Sequence, residues 1–360
     1  MKPPVVQIVQ ELAPPGGIQV MVLQLQQWLA PTLDVHVVSL EGTADRLRAT
    51  WPRVASLGDR LHGLDKPPRV DVGTVVRLTR LLREISPIAV HTHHIGPLLY
   101  GGLAARLAGV RRLVHTEHDA WHLAARRRRR LESAALAVLR PHLVADAQVV
   151  ADALLKAVPH SRPQIVLNGV DTSCFSPGDK LAARRALGLP EAARLVGTAG
   201  RLESVKGQDL LVDAMAKLPG DIELAIAGEG SCRASLESQA RALGVGERVR
   251  FLGHVEDTAT FYRALDLFCL PSRAEGLPLS LLEAQACGIP ALVTDVGGMR
   301  EVLAPSSCAV APDDSAGLAD AIGRMLATSR DAPAADPRSF IVERYDVRHM
   351  VDAYRALLTA

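Results

Sequence analysis

The sequence predicts an α/β protein of two doubly wound domains, each a parallel sheet covered by helices on both faces, facing each other across a cleft. A chain of 360 residues exceeds the size at which a single hydrophobic core usually keeps growing, so two domains of roughly 150 to 200 residues are expected. Short β-branched runs alternate with helical patterns along the chain, the signature of parallel sheets buried on both faces. The alternation is interrupted by a stretch of turn formers from Asn168 to Gly178, which suits a hinge near residues 168–180.

In the first half, Val5 to Val9, Val35 to Val38, Ile88 to Thr92, Leu113 to Thr116, Leu143 to Ala145 and Ile165 to Leu167 read as buried strands. In the second, Leu195 to Ala199, Ile222 to Ala227, Val249 to Leu252, Leu267 to Leu270, Ala291 to Thr294 and Cys308 to Val310 repeat the pattern. The expected domains are 1–170 and 171–340. Hydrophobic residues make up 48% and charged residues 22%, a balance that excludes wholesale disorder.

Charge is distributed unevenly. Residues 1–170 hold 21 Lys and Arg against 13 Asp and Glu, whereas residues 171–360 hold 20 against 26. The first half is therefore the one expected to meet an anionic surface. The five cysteines show no CxxC spacing and read as reduced, mostly buried thiols of a cytosolic protein. No apolar stretch is long enough for a signal peptide or a membrane span, so membrane contact is expected to be peripheral.

In open α/β sheets ligands bind beyond the carboxyl ends of the strands, which directs attention to the loops that follow them. Strand Leu195 to Ala199 runs into a loop carrying Gly200, Arg201, Lys206 and Gly207, and a helix follows from Gln208 to Ala216. Two cations beside a helix N-terminus, with glycines allowing close backbone approach, suit a diphosphate. Taken alone, the same loop reads equally well as a surface turn with incidental charges. After strand Leu267 to Leu270 come Glu275, Gly276, Leu277, Pro278, Leu279, Ser280 and Glu283. With a helix starting near Pro278, Glu275 falls on the loop and Glu283 one to two turns into the helix. Glu275 then stands near a sugar and Glu283 near a ribose, while the backbone N–H groups of Leu279 and Ser280 meet phosphate oxygens. The plain alternative for either glutamate is a solvated helix-end charge.

At these residues the sequence resembles the retaining glycosyltransferases of family 4, whose two Rossmann-like domains face across a cleft in the architecture called GT-B. Gly200-Arg201 with Lys206-Gly207 is similar to that family's G-R-x(4)-K-G element, and Ala227-Gly228-Glu229-Gly230 to its A-G-x-G loop. Glu275 through Glu283 matches its E-x(7)-E motif, and Asn168-Gly169-Val170-Asp171 its interdomain turn. The segment around Phe340 to Tyr354 resembles the helix that crosses back to the first domain, which makes 341–360 a separate piece.

The resemblance implies a sugar transferase of the polysaccharide or envelope-glycan type. It would move a hexosyl group from a nucleotide diphosphate sugar, a UDP-sugar by preference, to a glycan or lipid-linked acceptor. Arg201 and Lys206 would hold the diphosphate, Glu283 the ribose and Glu275 the sugar, with Gly276, Leu277, Leu279 and Ser280 lining the same donor. A nucleotide-sugar epimerase of the same architecture, or a non-catalytic membrane-associated binding protein, are the competing functions.

In the first half, Pro14, Pro15, Gly16 and Gly17 follow strand Val5 to Val9 and precede a helix from Ile18 to Leu29. The turn lacks G-x-G-x-x-G. The resemblance implies that Gly16 and Gly17 let backbone amides approach the donor, an ordinary turn being the alternative. Six of the twelve histidines, His91, His93, His94, His115, His118 and His122, fall within 32 residues. His91-Thr92-His93-His94 begins like a binuclear zinc motif, but Ile95-Gly96-Pro97 replaces the residues that should follow, and no metal is assigned. The resemblance instead places His118 close to the donor sugar and acceptor, with His115 as the competing choice.

No Asp-x-Asp occurs in the chain. With no cofactor expected, cations and helix amides must stabilise the leaving group. Arg126, Arg127, Arg128, Arg129 and Arg130 open an amphipathic helix. It reads either as a contact for anionic lipid head groups on the inner face of the plasma membrane or as a solvated helix face. Nucleic acid is not expected as a partner, because aromatic residues are only 3% and no recognition module is visible.

Overall fold

The computed structural model describes residues 1–13, 16–119, 121–328 and 336–360; Pro14 and Pro15 of the predicted turn lie outside the described residues. The chain divides into two compact units, one formed by Met1–Asn168 with Arg348–Ala360 and the other by Gly169–Val347. The divisions fall two residues before and seven after the boundaries expected at 170 and 340.

The first unit is built on strands β1 (Pro4–Glu11), β2 (Asp34–Glu41), β3 (Leu61–Gly63), β4 (Ala89–His93), β5 (Arg112–Glu117), β6 (His142–Ala145) and β7 (Gln164–Ile165). They form one parallel sheet in the order β3-β2-β1-β4-β5-β6-β7. Val5, Val6, Ile8 and Val9 are all buried, so β1 is covered on both faces, as a central parallel strand must be. Two elements depart from expectation. Strand β3 was not foreseen, and the last strand is a two-residue, exposed edge at Gln164–Ile165 rather than a buried run to Leu167.

Helix Val347–Thr359 carries Met350, Val351, Tyr354 and Leu358 on its buried side, spaced to form one helical stripe. Its Tyr354 hydroxyl lies 2.9 Å from Thr116 Oγ1, and the ring sits 4.9 Å from that of His91. Arg348–Ala360 thus underpins strands β4 and β5.

The second unit contains β8 (Arg194–Ala199), β9 (Ile222–Ala227), β10 (Val249–Gly253), β11 (Leu267–Leu270), β12 (Ala291–Thr294) and β13 (Cys308–Val310), all parallel, in the order β10-β9-β8-β11-β12-β13. Val196, Leu224, Ile226, Leu267 and Leu292 of the sheet pack with Leu211, Met215 and Ile322 of its covering helices. Of the cysteines, Cys269 and Cys287 are buried, Cys232 and Cys308 are half-buried and Cys174 is exposed, so burial holds for fewer of them than expected.

A buried ion pair fastens helix Lys180–Ala186 to this sheet. Arg184, 3% exposed, donates to Asp266 Oδ2 at 2.7 Å and to the carbonyls of Ala264, Glu191 and Ala193. Asp266 also accepts from Lys180 Nζ and the Leu195 N–H, both at 2.7 Å. Burial alone would raise the Asp266 pKa, but the Lys180 and Leu195 hydrogen bonds and the neighbouring cations outweigh it and hold the carboxyl below its usual range. Its stabilising contribution is therefore present above the unfolded value near 4 and is lost as pH falls through the lower folded value. Asp266→Asn leaves the buried Arg184 guanidinium with its carbonyl acceptors but without a counter-charge and should cost about 3 kcal/mol at pH 7. In chemical denaturation, the gap from the parent protein should shrink as pH is lowered below about 4.

Candidate active site

In the second sheet the strand order reverses between β8 and β11, whose carboxyl ends open a crevice where ligands characteristically bind. The loops that leave these ends are fitted to each other backbone to backbone. Gly207 has a φ of +65°, and a Cβ there would lie 2.1 Å from the Pro271 carbonyl oxygen. The Arg273 N–H donates to Val205 O at 2.8 Å. Its guanidinium clamps Asp209 through two bonds of 2.9 and 2.7 Å and also reaches Asp313.

At this junction Lys206 Nζ donates to Glu275 Oε1 at 2.7 Å, and Ser272 Oγ donates to the same oxygen at 2.7 Å. Glu275 is only 7% exposed. Two residues 69 apart in sequence thus form one ion pair at the mouth of the crevice. Arg201 is exposed on the same loop as Lys206, which follows β8. The turn after β9 completes the floor: at Gly228 (φ +141°) a Cβ would stand 1.9 Å from Gly200 O, and at Gly230 it would stand 2.4 Å from Leu202 O.

Helix Leu279–Ala286 begins behind Glu275, with Pro278 at its N-cap and no side-chain cap, so its first N–H groups are presented by geometry alone. Leu277 and Leu279 are buried and Ser280 is half-buried. Glu283 Oε2 accepts from the Tyr262 hydroxyl at 2.8 Å. Burial and the Glu283 charge push that phenol well above its ordinary pKa, so it remains a donor that orients the carboxylate. Gly298 N donates to Gly276 O at 3.0 Å, and a Cβ on Gly297 (φ +55°) would lie 1.8 Å from Glu275 O. Tyr262 and Gly297 escaped the sequence reading; a glycine pair three residues past a strand end was the available signal for the second.

In the first sheet the reversal lies between β1 and β4. Gly16 caps helix Gly17–Leu29 in extended conformation. A Cβ at Gly16 would meet only the flexible end of Gln19, and one at Gly17 would meet nothing within 4 Å. Internal packing therefore does not explain Gly17. After β4, His94 adopts φ 68° and ψ 166°, a region essentially reserved for glycine and costing of order 1–3 kcal/mol. This strained residue, which the sequence offered only as one member of a cluster, is tied by Nδ1 to Glu117 Oε2 at 3.0 Å and lies 3.5 Å from Asp119.

The histidines form a layered network. His91 contacts Thr116 Oγ1 at 2.8 Å, and His115 contacts Thr92 Oγ1 at 2.9 Å and Glu117 Oε1 at 2.8 Å. His115 is fully buried inside β5, with both ring nitrogens engaged. His118 lies just past the carboxyl end of that strand, with Nδ1 3.0 Å from Asp146 Oδ2 and Nε2 3.1 Å from His93 Nδ1. Asn168 Nδ2 donates to the same Asp146 oxygen at 2.9 Å. Asp146, beyond the end of β6, is the orienting group that sequence reasoning missed.

Burial lowers the pKa of His91 and His93 and keeps them neutral. It opposes charge on His94 too, but the Glu117 hydrogen bond and charge win and raise that pKa. Glu117 is held below its ordinary range against the cost of burial by hydrogen bonds from His115 and His94. His122 is raised to about 10, because its bonds to Asp119 and Glu132 overcome desolvation.

Helix Arg126–Leu139 buries Glu132, Ala135, Leu136 and Leu139. Arg126, Arg127, Arg128 and Arg130 are exposed, Arg129 is half-buried, and Trp121, Leu131 and Val138 are exposed apolar side chains on the same stretch. Among the described residues, no helix is long and apolar enough to cross a membrane.

Known proteins match both halves of the chain in sequence and the whole of it in fold. Residues 15–173 match Glycosyltransferase Family 4, and residues 179–337 match Glycosyl transferases group 1. A lipopolysaccharide core biosynthesis mannosyltransferase, LpsB of Rhizobium meliloti, is 35% identical over 214 residues, covering 54% of this chain and 61% of that protein. A D-inositol 3-phosphate glycosyltransferase of Mycobacterium bovis is 38% identical over 199 residues, covering 52% of this chain and 40% of that protein. The alignments thus take in less than two thirds of each relative.

In fold, the chain superposes on Anabaena Alr3699/HepE in complex with UDP and glucose with a TM-score of 0.85 at 20% identity. For the sucrose-phosphate synthase of Thermosynechococcus elongatus the values are 0.83 and 23%. Each comparison covers 99% of both chains. Both halves being matched in order, the chain belongs to the two-domain glycosyltransferases of the GT-B type, with a family 4 first half and a group 1 second half.

Proposed function

We propose that the protein is a retaining, metal-independent glycosyltransferase that moves a hexosyl group from a UDP-sugar to a glycan or lipid-linked acceptor. The observation that supports this reading most directly is the Lys206–Glu275 pair at the reversal point of the second sheet, with Arg201 on the same loop as Lys206 and an uncapped helix start four residues after Glu275. A bound diphosphate would take the Lys206 ammonium from Glu275, leaving that carboxylate for the sugar. Arg201 and the Leu279 and Ser280 N–H groups would share the diphosphate charge, and Glu283, oriented by Tyr262, would accept from ribose hydroxyls.

The acceptor hydroxyl attacks the anomeric carbon on the face from which UDP departs. The bond between that carbon and the β-phosphate oxygen breaks, its electron pair leaves with UDP, and the acceptor proton passes to the departing phosphate. Lys206 and Arg201 stabilise the charge that develops there. His118, held at Nδ1 by Asp146, is assigned to hydrogen bonding with the substrates through Nε2, which would give up its His93 contact to do so. HepE, solved with UDP and glucose, and LpsB, named for lipopolysaccharide core biosynthesis, support a UDP donor and an envelope-glycan acceptor.

The reading is tested by incubating the full chain with individual UDP- and GDP-sugars and lipid-linked glycan acceptors. Acceptor-dependent release of UDP is expected, with a product that keeps the donor's anomeric configuration by NMR. An altered sugar still attached to UDP, formed without acceptor, would replace it with an epimerase.

The same proposal puts the enzyme on the cytoplasmic face of an anionic membrane through the arginine-led helix. Each basic residue near such a surface contributes about 1 kcal/mol. Replacing Arg126, Arg127, Arg128 and Arg130 together by alanine should weaken binding to vesicles containing anionic lipid by roughly 100-fold or more, read by co-sedimentation, while leaving binding to neutral vesicles unaltered.

A further inference from the structure

We propose that Glu117, His122 and Glu132 of the first unit form a site for one divalent transition-metal ion. The three come from different elements: the end of β5, the short turn Trp121–Ala124, and helix Arg126–Leu139. One ligand atom of each lies within 4.8 Å of those of the other two. Ligand atoms around a four-coordinate ion stand roughly 3–3.5 Å apart, so side-chain adjustment alone would close the set.

Burial supplies the independent argument. The Glu117 and Glu132 side chains are 0% exposed and that of His122 is 11% exposed. Glu132 Oε2 touches His122 Nε2 at 2.5 Å, yet its other oxygen, Oε1, is buried with no hydrogen-bond partner. A buried carboxylate oxygen without a partner is costly. Glu132 follows five consecutive arginines on the same helix, but its carboxylate turns inward to His122. Its partner is thus the His122 imidazole rather than an arginine, and that ring would release its Nε2 proton to solvent when the ion binds.

The surroundings are those of oriented ligands. Asp119 Oδ1 lies 3.5 Å from His122 Nδ1, which fixes the ring with Nε2 toward Glu132, as a carboxylate does behind a metal-bound imidazole. Glu117 is in turn braced by His115 and His94. One imidazole with two carboxylates suits Zn²⁺ or Mn²⁺ better than Mg²⁺, which demands an octahedral oxygen shell and sheds water reluctantly. The ion would pin the turn ahead of the arginine-led helix to the end of β5. This role is separate from the donor diphosphate and does not depend on the proposed transfer reaction.

The test uses the full chain, stripped with chelator and dialysed, then titrated with Zn²⁺, Mn²⁺ or Mg²⁺ by calorimetry and thermal denaturation. One equivalent of Zn²⁺ or Mn²⁺ should bind and raise Tm by several degrees, with Mg²⁺ at least 10-fold weaker. His122→Gln and Glu132→Gln should each lose the Tm shift and bind at least 10-fold more weakly. Should either variant misfold by circular dichroism, X-ray absorption of the Zn²⁺-loaded parent decides: nitrogen and oxygen ligands without sulfur support the site. No saturable binding, sulfur ligation, or equal binding by parent and folded variants would overturn it, the last by showing only adventitious surface chelation.

Discussion

Lys206→Ala is expected to lower turnover by about 100-fold or more, the usual loss when a group aimed at developing negative charge is removed. The prediction rests on placement. Lys206 is held at the reversal point of the second sheet by a glycine whose Cβ would collide with Pro271 O, and its ammonium already has an anionic partner 2.7 Å away. A leaving diphosphate gains charge as the glycosidic bond breaks, so an interaction with it strengthens toward the transition state and should show in kcat more than in KM.

The variant also strips Glu275 of its cation, leaving a nearly buried carboxylate with Ser272 as its one side-chain donor in this network. Some loss of thermal stability is therefore expected as well. Adding Glu275→Gln should recover that stability without recovering turnover. Normal transfer by the single variant, measured as UDP release and product, would show that the pair is merely structural.

Gly297→Ala should damage the same site from behind. Its Cβ would stand 1.8 Å from the Glu275 carbonyl oxygen at a backbone φ of +55°, and neither conflict can be relieved by rotating a side chain. The left-handed conformation alone costs a non-glycine residue about 1–2 kcal/mol, and displacement of the Glu275 loop adds to it. A Tm lower by several degrees and at least 10-fold weaker UDP binding are expected. Gly220→Ala is the matched control: nothing lies within 4 Å of its added Cβ, and it should leave both measurements nearly unchanged. Equal behaviour of the two variants would detach Gly297 from the site.

The sheets were legible because their strands are buried on both faces and so read as unbroken apolar runs. Leu267–Leu270 and Ala291–Thr294 were recognised to the residue for that reason. Leu61–Gly63 was not, since three residues at a sheet edge, one of them histidine, carry neither periodicity nor length. The terminal exposed pair Gln164–Ile165 was overextended for the same cause.

At the candidate site the donors were legible as residues but not as partners. Arg201, Lys206 and Glu275 announce themselves by loop position and Glu283 by its place in the helix that follows, whereas the closure of Lys206 on Glu275, or of Tyr262 on Glu283, joins segments that no local pattern relates. The strain at His94 is likewise a property of the folded backbone, because nothing in His-His-Ile-Gly announces a glycine-like φ.

The placement of Tyr354 also bears on the order in which the protein can be finished during synthesis. Gly169–Val347 is continuous in sequence, while the first unit needs Arg348–Ala360 to supply the hydroxyl beside Thr116 and the ring beside His91. At about 5–20 residues per second, residues 1–168 wait on the ribosome for roughly ten to forty seconds before that helix is made. Of the two units, the one that comes first in this sequence is therefore the one completed last.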